Sequence, residues 1–439
     1  MNPAIEGAVI LAVTVVTLLS GIPVAFGLGA VAVIFLVLFQ GFDSIQVVAE
    51  TFYSSLDDFT LVAIPMFIMM GAAIGSSPAG KDLYAALDRW LYRVPGGLVI
   101  SNLGACAIFA ALTGSSPATC AAIGKMGIPE MRERGYPDEV ATGSICAGGT
   151  LGILIPPSIT FILYGIATET SIGRLFLAGV FPGLLLTFLF MAWTLVYIWF
   201  KGFRAYAPEF RFSWKEKFET IPKVAPFLLV VAGVMYTLYG GVATPSEAAG
   251  VGAALCAILA IVIYRMWQPK AWWEILRSTT RESVMILMII AAAALFGYML
   301  TSLYITQTLA QAIADAHFNR WVLMGMINLF LLVAGCFIPP AGIILMTAPI
   351  LLPIITAAGF DPVWFGVIVT INMEIGLITP PVGLNLFVVN GIVPDVSTKT
   401  VLWGAVPYVM MMVLGLIIMS IFPGIATWLP NHMMGAAAG

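Results

Sequence analysis

Charged side chains are scarce in this sequence. Only 9% of the 439 residues are Asp, Glu, Lys or Arg, whereas a soluble globular protein carries about 25%. The 19 basic and 22 acidic residues give a net charge of −3 and form no extended run of like charge. A polybasic surface is therefore absent, and we expect no nucleic-acid partner. With 61% apolar residues and a mean hydropathy of +1.03, the chain is typical of an all-α polytopic membrane protein.

Cysteine and histidine are also few. The five cysteines include no C-x-x-C pair and lie in apolar stretches, which favours buried free thiols over a disulfide framework or a zinc site. The two histidines, His317 and His432, have no neighbouring carboxylate or thiol of ligand spacing. This argues against a metal centre or a histidine-based catalytic site. The first apolar run, 5–20, lacks a preceding basic segment and predicts a retained spanning helix.

Apolar runs of helix length form two matching series, one in each half of the chain. The first half has spans 5–20, 22–39 and 57–76, an amphipathic stretch 80–94, short arms 96–113 and 117–131, an interrupted span 137–168, and a span 171–200. The second half has spans 224–240, 245–264 and 276–301, a polar stretch 304–318, arms 319–337 and 341–358, an interrupted span 361–393, and a span 398–430.

The match extends to individual residues, which predicts an internal repeat. A shift of 224 residues, without a gap, superimposes these pairs: Pro129 on Pro353, Gly135 on Gly359, Gly152 on Gly376, and Pro156-Pro157 on Pro380-Pro381.

The membrane topology follows from the arms and the charges. Each arm is shorter than the ~20 apolar residues that a full span needs, so each pair predicts a re-entrant hairpin. Five crossings per half make the repeat inverted. Of the 19 basic residues, all but Arg174 and Arg320 fall on one side of this topology, which the positive-inside rule makes cytoplasmic. Both termini are then periplasmic, and the two hairpins enter from opposite faces.

Four helix breaks are the candidate ligand-binding segments. They are the hairpin tips 114–119 and 338–342 and the interruptions 148–157 and 372–381. Freed backbone groups at membrane depth need a partner, so the breaks are expected to line a cavity or a ligand. Half-helix N-termini suit a carboxylate, and freed carbonyls and hydroxyls suit sodium. The alternative is that Gly and Pro here only permit close packing and kinks.

Two charged residues leave alternatives open. Glu374 lies inside a predicted span, where it is either functional or a protonated, hydrogen-bonded structural residue. Lys125 lies six residues beyond Thr119, so it either approaches an anion or extends to the cytoplasmic surface.

At these motifs the sequence closely resembles the large membrane subunit of tripartite ATP-independent periplasmic (TRAP) transporters. The motifs are 61–67 with Gly71, the tip 114–119, Gly148–Gly152 with Pro156–Ser158, and Gly376–Asn385. The resemblance implies an elevator carrier in the bacterial inner membrane that imports organic anions with sodium. It also implies two partners, a periplasmic substrate-binding protein and a small four-helix membrane subunit, and no organic cofactor.

The resemblance implies two sodium sites, each where a hairpin tip meets a broken span. The first maps onto Ser115, Ser116, Thr119, Gly149 and Gly152, and the second onto Gly335, Pro339, Gly342, Gly376 and Thr379. The second tip lacks the Ser and Thr of the first, so its site would depend more on carbonyls. Expected substrate contacts are Ser116, Pro117, Thr150, Pro156, Pro340, Ala341, Glu374, Pro380 and Asn385.

The expected domains follow the same division. The scaffold comprises 1–94, 171–222, 223–318 and 395–439, and the transport domain comprises 95–170 and 319–394. Three alternatives remain: a stand-alone sodium-coupled dicarboxylate carrier, a channel, and an intramembrane serine hydrolase that uses Ser115 or Ser116. The substrate stays open among C4-dicarboxylates, sialic acids, 2-oxo acids and ectoine-like compounds.

Overall fold

A computed structural model describes residues 3–91, 96–201, 213–315 and 318–435, and the regular elements in these ranges are all helices. His317 and the predicted domain boundary at 94/95 lie outside the described residues. So do three of the basic residues that the topology places in the cytoplasm, Arg93, Arg204 and Arg211.

The first half forms ten α-helices. They are α1 (Pro3–Leu19), α2 (Val24–Gln40), α3 (Ile45–Leu56), α4 (Ala63–Gly75), α5 (Ala79–Leu91), α6 (Gly97–Thr113), α7 (Ser116–Glu133), α8 (Asp138–Thr150), α9 (Ile159–Thr168) and α10 (Ile172–Lys201). Short 3₁₀ turns occupy Phe42–Ser44, Phe59–Val62 and Leu151–Ile153.

The remainder of the described chain forms eleven α-helices. They are α11 (Trp214–Phe218), α12 (Ile221–Tyr239), α13 (Pro245–Tyr264), α14 (Pro269–Ser302), α15 (Ile305–Asp315), α16 (Arg320–Gly335), α17 (Pro340–Ala357), α18 (Pro362–Leu377), α19 (Leu384–Ile392), α20 (Thr398–Ile421) and α21 (Gly424–Met434).

The predicted arms and interrupted spans are confirmed as helices. The first pair of arms is α6 and α7, and the second pair is α16 and α17. The interrupted span 137–168 is α8 and α9, and 361–393 is α18 and α19. Each interruption leaves a segment of non-α backbone between two helices, so the backbone groups there are available for other partners.

Two predicted spans differ from the structure. The span 57–76 is preceded by α3, which the sequence analysis leaves unassigned, and the paired segments Phe42–Leu56 and Phe59–Gly75 are bent by 61°. Asp58 enforces this break, because its carboxylate accepts a hydrogen bond from the Thr60 amide (2.8 Å) and so starts a new turn. The span 398–430 is two helices, because α20 ends before Pro423.

Five of the described helices are long and apolar enough to cross a membrane: α10, α13, α14, α17 and α20. Of these, α17 belongs to a predicted hairpin arm and is the shortest, at 18 residues. The bent α3–α4 pair also passes the same test when taken together. This composition agrees with a polytopic membrane protein.

Two sets of polar contacts join elements at the ends of the bundle. Arg132, in the last turn of α7, pairs with Asp138 (2.9 Å) and Asp395 (2.6 Å), and it holds the pKa of the Asp395 carboxyl below its usual range. Arg174 donates to the Gly435 carbonyl (2.8 Å). The charge-based topology predicts 132, 138 and 395 on one side and 174 and 435 on the other, and each set of contacts lies within one predicted side.

Candidate functional site

The first hairpin tip is a turn whose shape depends on the backbone conformation of Gly114. Gly114 has a φ of +60°, a left-handed value that favours glycine, and a Cβ at this position would lie 2.8 Å from the Pro157 carbonyl oxygen. Ser115 is extended, and α7 begins at Ser116. The turn therefore brings the N-terminus of α7 against the interruption between α8 and α9.

Ser116 connects this tip to both broken spans. Its buried hydroxyl lies 3.3 Å from the Thr150 carbonyl oxygen and 3.1–3.2 Å from the two carboxyl oxygens of Glu374. Glu374 is fully buried and also accepts a hydrogen bond from the Ile153 amide (3.2 Å). Three predicted substrate residues, Ser116, Thr150 and Glu374, are thus brought together from both halves of the chain.

The first predicted sodium set gathers oxygen atoms around Ser115. A Cβ at Gly152 would lie 2.6 Å from the Ser115 carbonyl oxygen, and one at Gly149 would lie 3.2 Å from that of Ser116. The Thr119 hydroxyl donates to the Ser115 carbonyl (2.9 Å) and lies 2.8 Å from the hydroxyl of Thr113. These carbonyl and hydroxyl oxygens are hard ligands. Because Gly149 and Gly152 have no side chain, the broken span can approach the tip closely, and the chemistry of the set fits an alkali cation.

The second predicted set is brought together only in part. Gly376 packs directly on the backbone of Gly335, and Thr379 donates to the Ile375 carbonyl (2.6 Å). Pro339 lies exposed as the N-cap of α17. Gly342 lies against Val24 of α2, where a Cβ would be 2.9 Å from a valine methyl group. The Gly335–Gly376 contact offers backbone carbonyls, whereas Gly342 faces another helix.

The remaining predicted substrate residues are dispersed. Pro156 is buried, Pro117, Pro340 and Ala341 are half-buried, and Pro380 is exposed. Asn385 is fully buried, but its amide contacts the Cys146 carbonyl (3.4 Å) rather than Glu374. The Asn385 Oδ1 atom is buried without a hydrogen-bond partner among the described residues.

A cavity of about 490 Å³ begins at the first tip. Its walls include Thr113 and Ser115 at the tip and, further along, Lys81, Lys125 and Glu282. Lys125 is exposed and lines this cavity, a position compatible with both sequence alternatives, contact with an anion and extension to the cytoplasmic surface. A second cavity, of about 460 Å³, lies elsewhere and is lined by Asp58, Glu169 and neighbouring residues.

Four residues that line the first cavity were not predicted from the sequence: Lys81, Thr113, Ser278 and Glu282. The sequence offered a signal for Glu282, because it is a carboxylate within the predicted span 276–301, and an ionisable residue within a span is a functional candidate. Thr113 ends a predicted arm, and Lys81 lies in an ordinary amphipathic stretch, so neither stands out without the fold.

The comparisons with known proteins agree with this architecture. A family model described as the DctM component of tripartite ATP-independent periplasmic transporters matches residues 11–425. The chain belongs to this family. The resemblance read from the motifs is therefore confirmed.

Individual relatives cover almost the whole chain. The large permease protein DctM of a C4-dicarboxylate TRAP transporter from Pseudomonas aeruginosa is 39% identical, over 89% of this chain and 91% of its own. The corresponding DctM protein from Vibrio cholerae is 37% identical, over 94% and 95%. The YdaH transporter of Alcanivorax borkumensis shares the fold alone, with a TM-score of 0.61 at 16% identity over 90% of this chain and 91% of that one.

Membership decides one alternative. DctM proteins are transporter permeases and not enzymes, so the serine hydrolase interpretation of Ser115 and Ser116 is excluded. The buried hydroxyl of Ser116 donates to the carboxyl group of Glu374.

Proposed function

We propose that this TRAP large permease is a sodium-coupled importer of small organic anions that works by an elevator movement in the bacterial inner membrane. The observation that carries the proposal is the junction of Ser116, Thr150 and Glu374, where a hairpin tip and two broken helices meet. C4-dicarboxylates are the first substrate class to test, since the two relatives are named for their transport.

Sodium coupling is supported by hydroxyl oxygen atoms in both predicted sodium sets. The protons of the Thr119 and Thr379 hydroxyls are directed to carbonyls of their own helices, so their oxygen lone pairs remain available to a cation. A bound cation would offset the charge of a carboxylate at the adjacent N-terminus of α7. In this proposal Glu374 fixes Ser116 and the Ile153 amide at the edge of that site.

The elevator movement is supported by the position of the first cavity. One wall of the cavity comes from the first hairpin, through Ser115 and Lys125. The other wall comes from the proposed scaffold, through Gly71 of α4 and Glu282 of α14. The space therefore lies between the two proposed domains, 95–170 with 319–394 and the remainder of the chain. With both termini in the periplasm, its lysine-lined end faces the cytoplasm.

Two protein partners belong to the proposal. A tripartite transporter has three components, and we assign the other two as a periplasmic binding protein that delivers substrate and a small four-helix membrane subunit. Exposed apolar side chains such as Phe26 (61% exposed) and Leu229 (70%) provide surface for membrane lipid or for that subunit.

Proteoliposomes test the function directly. Uptake of radiolabelled succinate should require a sodium gradient, the small subunit and the loaded binding protein together. Uptake that persists without sodium would contradict the coupling. Robust uptake of free succinate by this chain alone would instead favour the stand-alone carrier.

A further inference from the structure

Two lysines and one glutamate converge on the first cavity from three different helices. Lys81 lies in the first turn of α5, Lys125 lies in the middle of α7, and Glu282 lies in α14. Among the described residues, none of the three forms a salt bridge. The cavity walls therefore carry two cations against one anion, in a chain with few charges.

The space between these charges is preserved by small residues. Gly71, Gly75, Ala118, Ala121 and Ala122 form much of the wall. A Cβ added at Gly75 would meet no atom within 4 Å, so the cavity is open at that point. About 490 Å³ falls within the ~300–1,000 Å³ of small-molecule sites.

The start of α5 adds to the positive character of the cavity. Ser77, Pro78 and Gly80 line the cavity beside Lys81, and the N-terminus of a helix carries partial positive charge. Asp82 in the same turn accepts a hydrogen bond from the Tyr264 hydroxyl of α13 (3.0 Å).

We propose that Lys81 and Lys125 form a second carboxylate-binding subsite, between the hairpin tip and the cytoplasmic opening. An organic anion that leaves Ser115 passes between the two ammonium groups, and a dicarboxylate contacts both. Glu282 faces the same space and weakens this binding, which favours release over retention. The direction of travel rests on the proposed function, whereas binding at the two lysines does not require sodium.

The charge of the cavity can be measured with a reporter cysteine. Ser76 lines the cavity and is exposed, so Ser76→Cys in a chain without native cysteines reports local reactivity. The measured quantity is the ratio of its modification rates by an anionic and a cationic methanethiosulfonate reagent. Lys81→Gln and Lys125→Gln should each lower this ratio about threefold or more, and Glu282→Gln should raise it.

Lys399 gives a matched control. It is an exposed lysine at the start of α20, so Lys399→Gln should leave the ratio unchanged. Opposite shifts for lysine and glutamate variants cannot come from misfolding, and thermal unfolding midpoints of all variants check the fold independently. An unchanged ratio in both cavity lysine variants would overturn the proposal.

Ligand binding is tested by protection in sodium-free buffer. Succinate should slow modification of the reporter cysteine, whereas neutral succinamide should not. Protection should disappear in the Lys81→Gln and Lys125→Gln variants, survive in Lys→Arg variants, and strengthen in Glu282→Gln. Absence of protection, or protection that survives both Gln substitutions, would refute the subsite. Failure of sodium-driven uptake with intact protection would refute only the proposed function.

Discussion

The carboxyl group of Glu374 lies 3.1–3.2 Å from the hydroxyl of Ser116, although 258 residues separate them in the chain. The contact joins the first hairpin to the second broken span in the centre of the protein. Because Glu374 also accepts from the Ile153 amide, a single side chain connects three of the helix breaks.

Substitutions of Glu374 should show how much its hydrogen bonds stabilise the fold. Glu374→Gln retains an acceptor for the Ile153 amide and a polar group for Ser116, so the thermal unfolding midpoint should change little. Glu374→Ala removes the side-chain acceptor of the buried Ile153 amide, at a cost of about 1–3 kcal/mol, whereas Ser116 keeps the Thr150 carbonyl as an acceptor. Equal midpoints for the two variants would show that the contact does not stabilise the fold.

Thr119 and Thr379 should control sodium dependence. If their oxygens bind sodium, Thr→Ala at either position should raise the sodium concentration for half-maximal uptake, while Thr→Ser should be milder because it keeps the hydroxyl. Both hydroxyls also donate to carbonyls of their own helices, so a purely structural role predicts altered stability instead. Sodium titrations normalised to protein in the membrane distinguish the two roles.

The predicted topology has α11 in the cytoplasm and the turn between α2 and α3 in the periplasm. Single cysteines at Lys215 and Asp43, which are both exposed, should react with membrane-impermeant reagents from opposite sides of the membrane. The native cysteines are removed in this background. Reaction of both from the same side would contradict the inverted arrangement of the halves.

Asp88 should make a pH-dependent contribution to stability. Burial raises the pKa of its carboxyl group, and Arg134, 3.3 Å away, opposes this effect. A carboxyl with a raised pKa in the folded state takes up its proton first there, so stability increases as the pH falls through that pKa toward about 4. Thermal midpoints from pH 7 downward should show this gain in the parent chain and a smaller one in Asp88→Asn. Parallel curves would exclude the contribution.

Much of the architecture could be predicted from the sequence. The arms 96–113 and 117–131 correspond closely to α6 and α7, because Gly114, Ser115 and Pro117 mark the turn between two apolar stretches. The bend before α4 was missed, since α3 mixes polar and apolar residues and has no buried residue. Its ordering depends on packing against α2 and α14, which a local pattern does not reveal.

The sequence indicated the segments that form the candidate site but not the contacts between them. The Gly- and Pro-rich interruptions and their 224-residue register indicated the four breaks. The family resemblance supplied Ser116 and Thr150 as expected substrate contacts, and Glu374 stood out as a carboxylate within a predicted span. That Glu374 meets the first hairpin, while Gly342 meets Val24 of α2, depends on how distant helices pack. Lys81 and Glu282 become candidate binding residues only because they line the same cavity.

The two cavities differ in the charged residues that line them. In the 224-residue register Glu282 of the first cavity superimposes on Asp58 of the second, whereas Lys81 falls on Ile305 and Lys125 on Pro349. Both cavities therefore carry an acidic residue at the equivalent position, and the two lysines have no repeat equivalents. A free anion at the second cavity would meet Asp58 and Glu169 without a basic side chain among the described residues that line it, whereas one in the first cavity would meet Lys81 and Lys125 beside Glu282. Under the proposed function, repulsion at the second cavity would disfavour entry of free anions there and so increase the dependence of uptake on delivery by the binding protein.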